Sequence, residues 1–367
     1  MPVSDNGRQA SGPTLVSVVI PAFRCSQYIA QAVDSVLEQS FSDFEIIVIN
    51  DGSPDTPRLE AALLPYRDHI RYQKQATRGP SGARNAGILW ARGKYVAFLD
   101  ADDYWRPDHL GKLMELFQQD AALDLAYCDC VLLKEEKPFA NAFSIEPQSG
   151  AVNFDSLLVE SCAISTSTAL VLRESIVQAG LFDESFHRCE DFDLWLRLAF
   201  GGARMRYHSE PQVFRRINEQ GLSADRLSMK RDRIRVYEKV AATLPVSMEQ
   251  RQTIERLVGS IRAECHVQEM KHALDKGNYE AAVESGRQAK RVRQDWRLSF
   301  SLAALRLAPR LFGHFYRMRA RMLEDRNRKS THNVPPQAPE VEAQPESLDP
   351  SNLVNHSAEE KAFRESR

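Results

Sequence analysis

Short, nearly solid apolar runs, each closed by a polar turn, mark the first half of the chain. Val16-Ser17-Val18-Val19-Ile20, Ile46-Ile47-Val48-Ile49 and Tyr95-Val96-Ala97-Phe98-Leu99 are such runs. Strands of this kind belong to a sheet covered on both faces. Pro21 cannot donate to a ladder and is expected to end the first strand. Between the first two runs, Ile29, Ala32, Val33, Val36 and Leu37 recur at helical spacing, with Ser26 placed to cap them. Strand, helix, strand with short links predicts a βαβ unit, hence a parallel, right-handed crossover. Ile70–Gln73 reads as a third strand, and Leu125–Cys128 and Thr168–Leu172 as further ones. The stretch of about 133–165 is weakly patterned, as lids and binding loops are.

Beyond residue 225 the strand signals fade and charged-apolar helical patterns take over. Ala273 to Ala282 resembles a tetratricopeptide-type turn between two helices. One helix pair falls short of the about three repeats a free-standing solenoid needs, so it should pack on the α/β region or on a partner. Residues 296–322 interleave Leu298, Phe300, Leu302, Leu305, Leu307 and Leu311 with Arg297, Arg306, Arg310, Arg317, Arg319 and Arg321, and Pro309 should break the run. A basic amphipathic helix can lie on an anionic membrane surface as a peripheral contact; a helix docked on its own domain with its arginines outward fits the pattern equally well. From Lys329 onward the Pro-rich polar composition predicts a disordered tail, as does the composition of residues 1–14. The expected plan is therefore a tail over 1–14, an α/β domain over 15–225, a helical region over 226–328 and a tail over 329–367.

Composition narrows the partners. The chain has 367 residues, 43% of them hydrophobic, enough for a large core and more than one domain. A formal net charge of -2 gives no global basic character and points away from nucleic acid. Cys25, Cys128, Cys130, Cys162, Cys189 and Cys265 show neither a CxxC pair nor zinc spacing, and Cys128 and Cys130 read as core thiols on one strand face. The N-terminus lacks a signal pattern, and no apolar run approaches the about 20 residues needed to span a bilayer. A reduced, soluble, cytosolic protein is expected; a glycosylation sequon at Asn355-His356-Ser357 would be idle there.

Chemistry concentrates where strands stop. The third apolar run ends on Asp100-Ala101-Asp102-Asp103, delivering acids to the carboxyl edge of the sheet, where open α/β folds hold ligands. Acids so close repel one another unless a cation neutralises them, and hard divalent ions favour such oxygens. A solvated loop or a helix cap accounts for the same residues taken alone. Asp51 closes the second strand on the same edge, although a plain turn would also use Asp51-Gly52-Ser53. Gly79 to Gly87 is Gly-rich at a helix start, where Arg84 and Asn85 could add donors to a diphosphate. It is neither a Walker loop nor a GxGxxG after the first strand. Glu190-Asp191 open another helix, an ordinary place for carboxylates.

Together these pieces resemble the family 2 glycosyltransferases of the GT-A fold. The resemblance rests on Val-Ser-Val-Val-Ile-Pro-Ala-Phe (16–23), Ile-Asn-Asp-Gly-Ser (49–53), Gly-Ala-Arg-Asn-Ala-Gly (82–87), Leu-Asp-Ala-Asp-Asp (99–103) and Cys-Glu-Asp-Phe-Asp-Leu-Trp (189–195), in family order over roughly residues 15–225. It implies a Rossmann-like α/β fold with a mostly parallel sheet and a C-terminal helical extension. It implies transfer of a sugar, with inversion, from a nucleotide-diphosphate sugar such as a UDP-sugar to a glycan, lipid-linked or other hydroxyl acceptor. In that reading Pro21, Ala22, Phe23 and Asp51 meet the nucleoside, with Arg84 and Asn85 on the diphosphate side. Asp100, Ala101 and Asp103 border ribose, sugar or metal water; Asp102 holds Mn²⁺ or Mg²⁺; Asp191 is the catalytic base; Glu190 orients; and Arg216 contacts substrate. Relatives often carry Arg-x-His near the domain's end, whereas this chain has Arg216-Ile217-Asn218, so an amide stands where a titrating imidazole is expected. Two other readings are a sugar nucleotidyltransferase and a non-catalytic nucleotide-sugar-binding scaffold. The first would want a Gly-rich basic loop after the first strand, where Pro21-Ala22-Phe23-Arg24 stand; the second would tolerate loss of Asp51, Asp100, Asp102 or Asp191, all present.

Overall fold

The structure, a computed structural model, describes residues 14–160, 163–218, 221, 225–292, 296–316, 318 and 322. The expected tails therefore fall outside the described residues, Thr14 apart, as do Cys162, Arg317, Arg319 and Arg321. The chain runs β1 (Val16–Ala22), α1 (Ile29–Leu37), β2 (Phe44–Asn50), α2 (Thr56–Leu63), β3 (Ile70–Lys74), α3 (Gly79–Trp90) and β4 (Tyr95–Phe98). It continues through β5 (Tyr104–Trp105), α4 (His109–Gln119), β6 (Leu125–Lys134), β7 (Lys137–Asn141), α5 (Ala142–Ile145), α6 (Phe154–Leu158), β8 (Ala169–Leu172), α7 (Arg173–Gln178), α8 (Glu190–Phe200) and β9 (Met205–Arg216). Helices α9 (Arg226–Thr243), α10 (Met248–Asp275), α11 (Tyr279–Val292) and α12 (Trp296–Leu307) follow.

One sheet takes the order β3-β2-β1-β4-β8-β6-β9-β5, with β7 paired to β6. The β3-β2-β1-β4 half is parallel, as βαβ links require. The other half is mixed: β8 runs antiparallel to β4 and β6, β9 parallel to β6, and β5 antiparallel to β9. Alternate residues of β1 feed two cores. Val16, Val18 and Ile20 pack with α1 and α4, while Val19 packs with α3 and α8 on the other face. Trp195, fully buried on α8, and Ile234, Val236, Tyr237 and Val240 of α9 join that second core, so the helical region continues the apolar interior of the sheet domain.

Two local expectations fail for tertiary reasons. β1 continues through Pro21 to Ala22, because β4 pairs with β1 only as far as Val19↔Phe98, and Pro21 lies past the last partner that would need its N–H. Ser26 does not cap α1; Tyr28 takes that position without a side-chain bond, and the Ser26 N–H is taken by Asp55 Oδ2 at 3.1 Å. The α10-turn-α11 pair forms as expected around Lys276-Gly277-Asn278, with Gly277 at φ +73°. α12 ends at Leu307 and a new helical run starts at Pro309, the break that proline dictates. Phe300 and Leu307 are 70% and 86% exposed. A second compact unit begins at His314. Among the described residues no helix is long and apolar enough to cross a membrane, and Cys25, Cys128, Cys130, Cys189 and Cys265 are buried free thiols.

Candidate active site

Parallel strands bring their ends to one edge, so β1, β2 and β4 deliver Pro21–Phe23, Asp51 and Leu99–Asp103 side by side. Helix α3 ties these ends together. At its start the buried Asp51 carboxylate accepts the Arg78 and Gly79 N–H groups, both at 2.8 Å, and Gln75 Nε2 at 2.7 Å. A carboxylate on the free N–H groups of a helix start is favoured by both hydrogen bonding and the helix dipole. Five residues further, roughly 7–8 Å along the axis, Arg84 leaves the same helix. Its Nη2 donates to Asp100 Oδ1 and its Nη1 to Glu190 Oε1, each at 2.7 Å, with 5% of the side chain exposed. The strand-end acids and the α8 acids thus meet at one guanidinium.

The three acids after β4 have different surroundings. Asp103 is buried; its carboxyl accepts from Ser167 Oγ at 2.7 Å and from the Arg216 N–H at 3.0 Å. Burial first, then the charges of Asp102 and Asp100, push it up to about 8. Asp100 keeps Arg84 on one oxygen, while its N–H donates to Ser167 Oγ at 3.1 Å. Asp102 is half-buried; its carboxylate accepts its own backbone N–H and, among the described residues, is bonded by no other residue. Burial and Asp100 raise its pKa, partly offset by Arg216 and Arg215. Ala101 lies under the turn in the core shared with α1 and α4. Ser167, which sequence reading passed over, is the clamp of this turn: besides both acids, its carbonyl accepts from Trp105 Nε1 at 2.8 Å.

On the facing side, Cys189 takes a left-handed φ of +59° just before α8 opens with Glu190 and Asp191. Burial pushes Glu190 up to about 7 against the pull of Arg84. Asp191 is half-buried, and one oxygen accepts the Phe192 N–H at 2.8 Å. Burial raises its pKa as well, with Arg84 and Arg215 opposing.

The remaining expected residues divide. Phe23 is 45% exposed with Arg24 beside its ring, an open apolar plate next to Asp51, while Ala22 is buried and its carbonyl accepts the Asp51 N–H at 3.1 Å. Asn85 is committed inward: its side-chain amide brackets Phe182 with two bonds of 2.9 Å. Both Nη atoms of Arg84 are held by carboxylates, while its buried Nε has no hydrogen-bond partner among the described residues. Arg216 forks onto Glu136 at 2.6 and 2.8 Å and donates to Gln31 and to the Asp102 carbonyl, which fixes the acidic turn from behind. Asn218 is exposed just past β9. Among the described residues no group of three His, Cys, Asp or Glu is placed to hold a metal ion. A divalent ion would therefore rest on Asp102, a carboxylate raised by burial and bonded by no other described residue, together with ligand oxygens and water. Mn²⁺ and Mg²⁺ accept such a donor set.

A mixed α/β sheet with an acidic turn at its carboxyl edge and a second acid pair facing it is the GT-A glycosyltransferase architecture. Residues 17–159 match the family model described as "Glycosyl transferase family 2". It is 30% identical over 189 residues to an uncharacterized glycosyltransferase of Rickettsia bellii (strain RML369-C), covering 50% of this chain and 27% of that protein. It is 28% identical over 214 residues to the UDP-Glc:alpha-D-GlcNAc-diphosphoundecaprenol beta-1,3-glucosyltransferase WfaP of Escherichia coli, 58% of this chain and 81% of that protein. The chain spans only 27% to 31% of the length of the R. bellii, R. felis and R. conorii relatives. Its fold resembles S. aureus TarS 1-349 in complex with UDP-GlcNAc (TM-score 0.56, 15% identity, 84% of this chain and 92% of that one). It also resembles the mannosyltransferase PcManGT of Pyrobaculum calidifontis in complex with GDP-Man and Mn²⁺ (TM-score 0.54, 16% identity, 87% and 88%).

Proposed function

We propose that this chain transfers a sugar from a nucleotide-diphosphate sugar, a UDP-sugar foremost, to an acceptor hydroxyl in glycan biosynthesis. The observation that carries the reading is the Arg84 bridge, which joins Asp100 to Glu190 at 2.7 Å on either side. The exposed Phe23 ring beside Asp51 is suited to a nucleobase and ribose. Asp102 would hold Mn²⁺ or Mg²⁺, which when bound supplies Lewis-acid relief for the charge on the leaving diphosphate. Asp191, with one oxygen uncommitted and its pKa raised, accepts the acceptor's hydroxyl proton. The acceptor oxygen bonds to the anomeric carbon as the carbon–phosphate oxygen bond breaks, so attack from the opposite face inverts that centre. Glu190, held by Arg84, positions Asp191 rather than reacting. A lipid-linked acceptor is favoured among hydroxyl acceptors by the exposed Phe300, Leu307 and Leu311 interleaved with Arg306 and Arg310.

Titration calorimetry with UDP and GDP, with and without Mn²⁺, tests the donor side. Mn²⁺ should tighten UDP binding by about tenfold or more, a gain of about 1.4 kcal/mol. Absence of binding by either nucleotide, or binding indifferent to the metal, would sink this reading in favour of a scaffold.

A further inference from the structure

Three arginines enter the acid cluster, and two are committed. Arg84 is divided between Asp100 and Glu190, and Arg216 between Glu136, Gln31 and the Asp102 carbonyl. Arg215 is not. Among the described residues its guanidinium makes no hydrogen bond and no ion pair.

The strand geometry fixes where it lies. β5 and β9 pair as Tyr104↔Phe214 and Trp105↔Val213, and the Arg216 N–H reaches Asp103 at 3.0 Å, so Arg215 sits beside the acidic turn. Side chains alternate along a strand. Arg216 takes the face of Tyr28 and Gln31; Arg215 takes the other, the face of the fully buried Val213. From there its positive charge acts on Asp103, Asp100 and Asp191, and on Asp102 in turn. A half-buried arginine set among acids ordinarily forks onto one of them, because charge-assisted bidentate bonds are the strong ones. This one faces several acids and bonds to none, while both Asp102 and Asp191 feel it.

We propose that Arg215 is the anion clamp of the site, donating to the diphosphate oxygens of the nucleotide donor and sharing the leaving-group charge with the cation at Asp102. The proposal rests on the glycosyl-transfer reading above and adds a specific residue to it. Its five N–H donors suit two phosphate oxygens at once, a geometry lysine lacks.

The test measures full-length wild type, Arg215→Gln and Arg215→Lys with Mn²⁺ present, reading UDP by calorimetry, uridine by ligand-observed NMR, and the melting temperature. Arg215→Gln should weaken UDP by about ten- to a hundredfold while uridine stays within about twofold. Arg215→Lys should recover part of the loss and, should the glutamine variant not fold, should still bind UDP several-fold less tightly than wild type. An unchanged UDP-to-uridine ratio in wild type and variants, whatever the melting temperature does, would overturn the clamp and leave Arg215 as a counter-charge for the acids. Failure of wild type itself to bind UDP or GDP would overturn the donor reading and the clamp together; UDP binding with an unchanged ratio would overturn the clamp alone.

Discussion

Arg84 and Glu190 lie 106 positions apart in sequence and 2.7 Å apart in space. Glu190 is buried, and the same guanidinium holds Asp100, so the bond joins the two acidic motifs through one cation. Arg84→Ala would leave Glu190 buried without its counter-charge, and breaking a buried pair from one side typically costs about 3–5 kcal/mol. A loss of about 3 kcal/mol or more is expected in urea denaturation. A loss below about 1 kcal/mol would mean that the bridge is incidental.

Asp103 gives a pH signature. Its folded pKa, about 8, lies above the usual carboxylate value because of burial and its acidic neighbours. The folded state therefore holds a proton that the unfolded state releases, and the stability this group contributes is complete below about pH 4 and lost as pH rises towards 8. Asp103→Asn mimics the protonated form. Melting curves from pH 5 to 9 should show wild type losing ground to Asp103→Asn as pH rises; parallel curves would contradict the assignment.

Asn85 separates a structural from a diphosphate role. Its amide replaces a peptide partner for Phe182, pairing with both its N–H and its carbonyl at 2.9 Å. Asn85→Ala should cost about 1–3 kcal/mol through two buried groups left unpaired. UDP affinity, measured on the folded variant, should stay within about twofold. A tenfold drop in affinity with little loss of stability would restore the diphosphate role.

Gly87 lets α3 approach β1 closely. A Cβ there would overlap Val19 Cγ1, inside fully packed core. Gly87→Ala should therefore destabilise by about 1–3 kcal/mol despite alanine's better helix propensity. A stabilised variant would show that α3 can slide on β1 at no cost.

What the chain reveals before folding follows from the range of each interaction. The solid apolar blocks at 16–20, 46–49 and 95–99 mark buried strands by local composition, and a parallel sheet then obliges Asp51 and Asp100 to share an edge. The failures have partners distant in sequence. Ser26 loses its capping place to an arrangement in which Asp55 takes its N–H, and Pro21 is tolerated because β4 has already ended. Arg84 looked like a free donor because nothing nearby announces that Glu190, 106 residues on, will claim it. Arg215 and Arg216 are not separable by local pattern, since each shares strand parity with an apolar residue, Val213 and Phe214 respectively; only the pairing of β9 with β5 and the packing of α1 divide them. Ser167 had no local signal, since its role depends on β8 lying beside β4.

Asp191 is where the interpretation can be struck most directly, because it alone is assigned the moving proton. Sugar transfer from the donor that wild type uses, and UDP affinity, should be measured side by side for wild type and Asp191→Asn. The account predicts transfer lowered by about a hundred- to ten-thousandfold with UDP affinity within about twofold. Transfer by Asp191→Asn at the wild-type rate would contradict it.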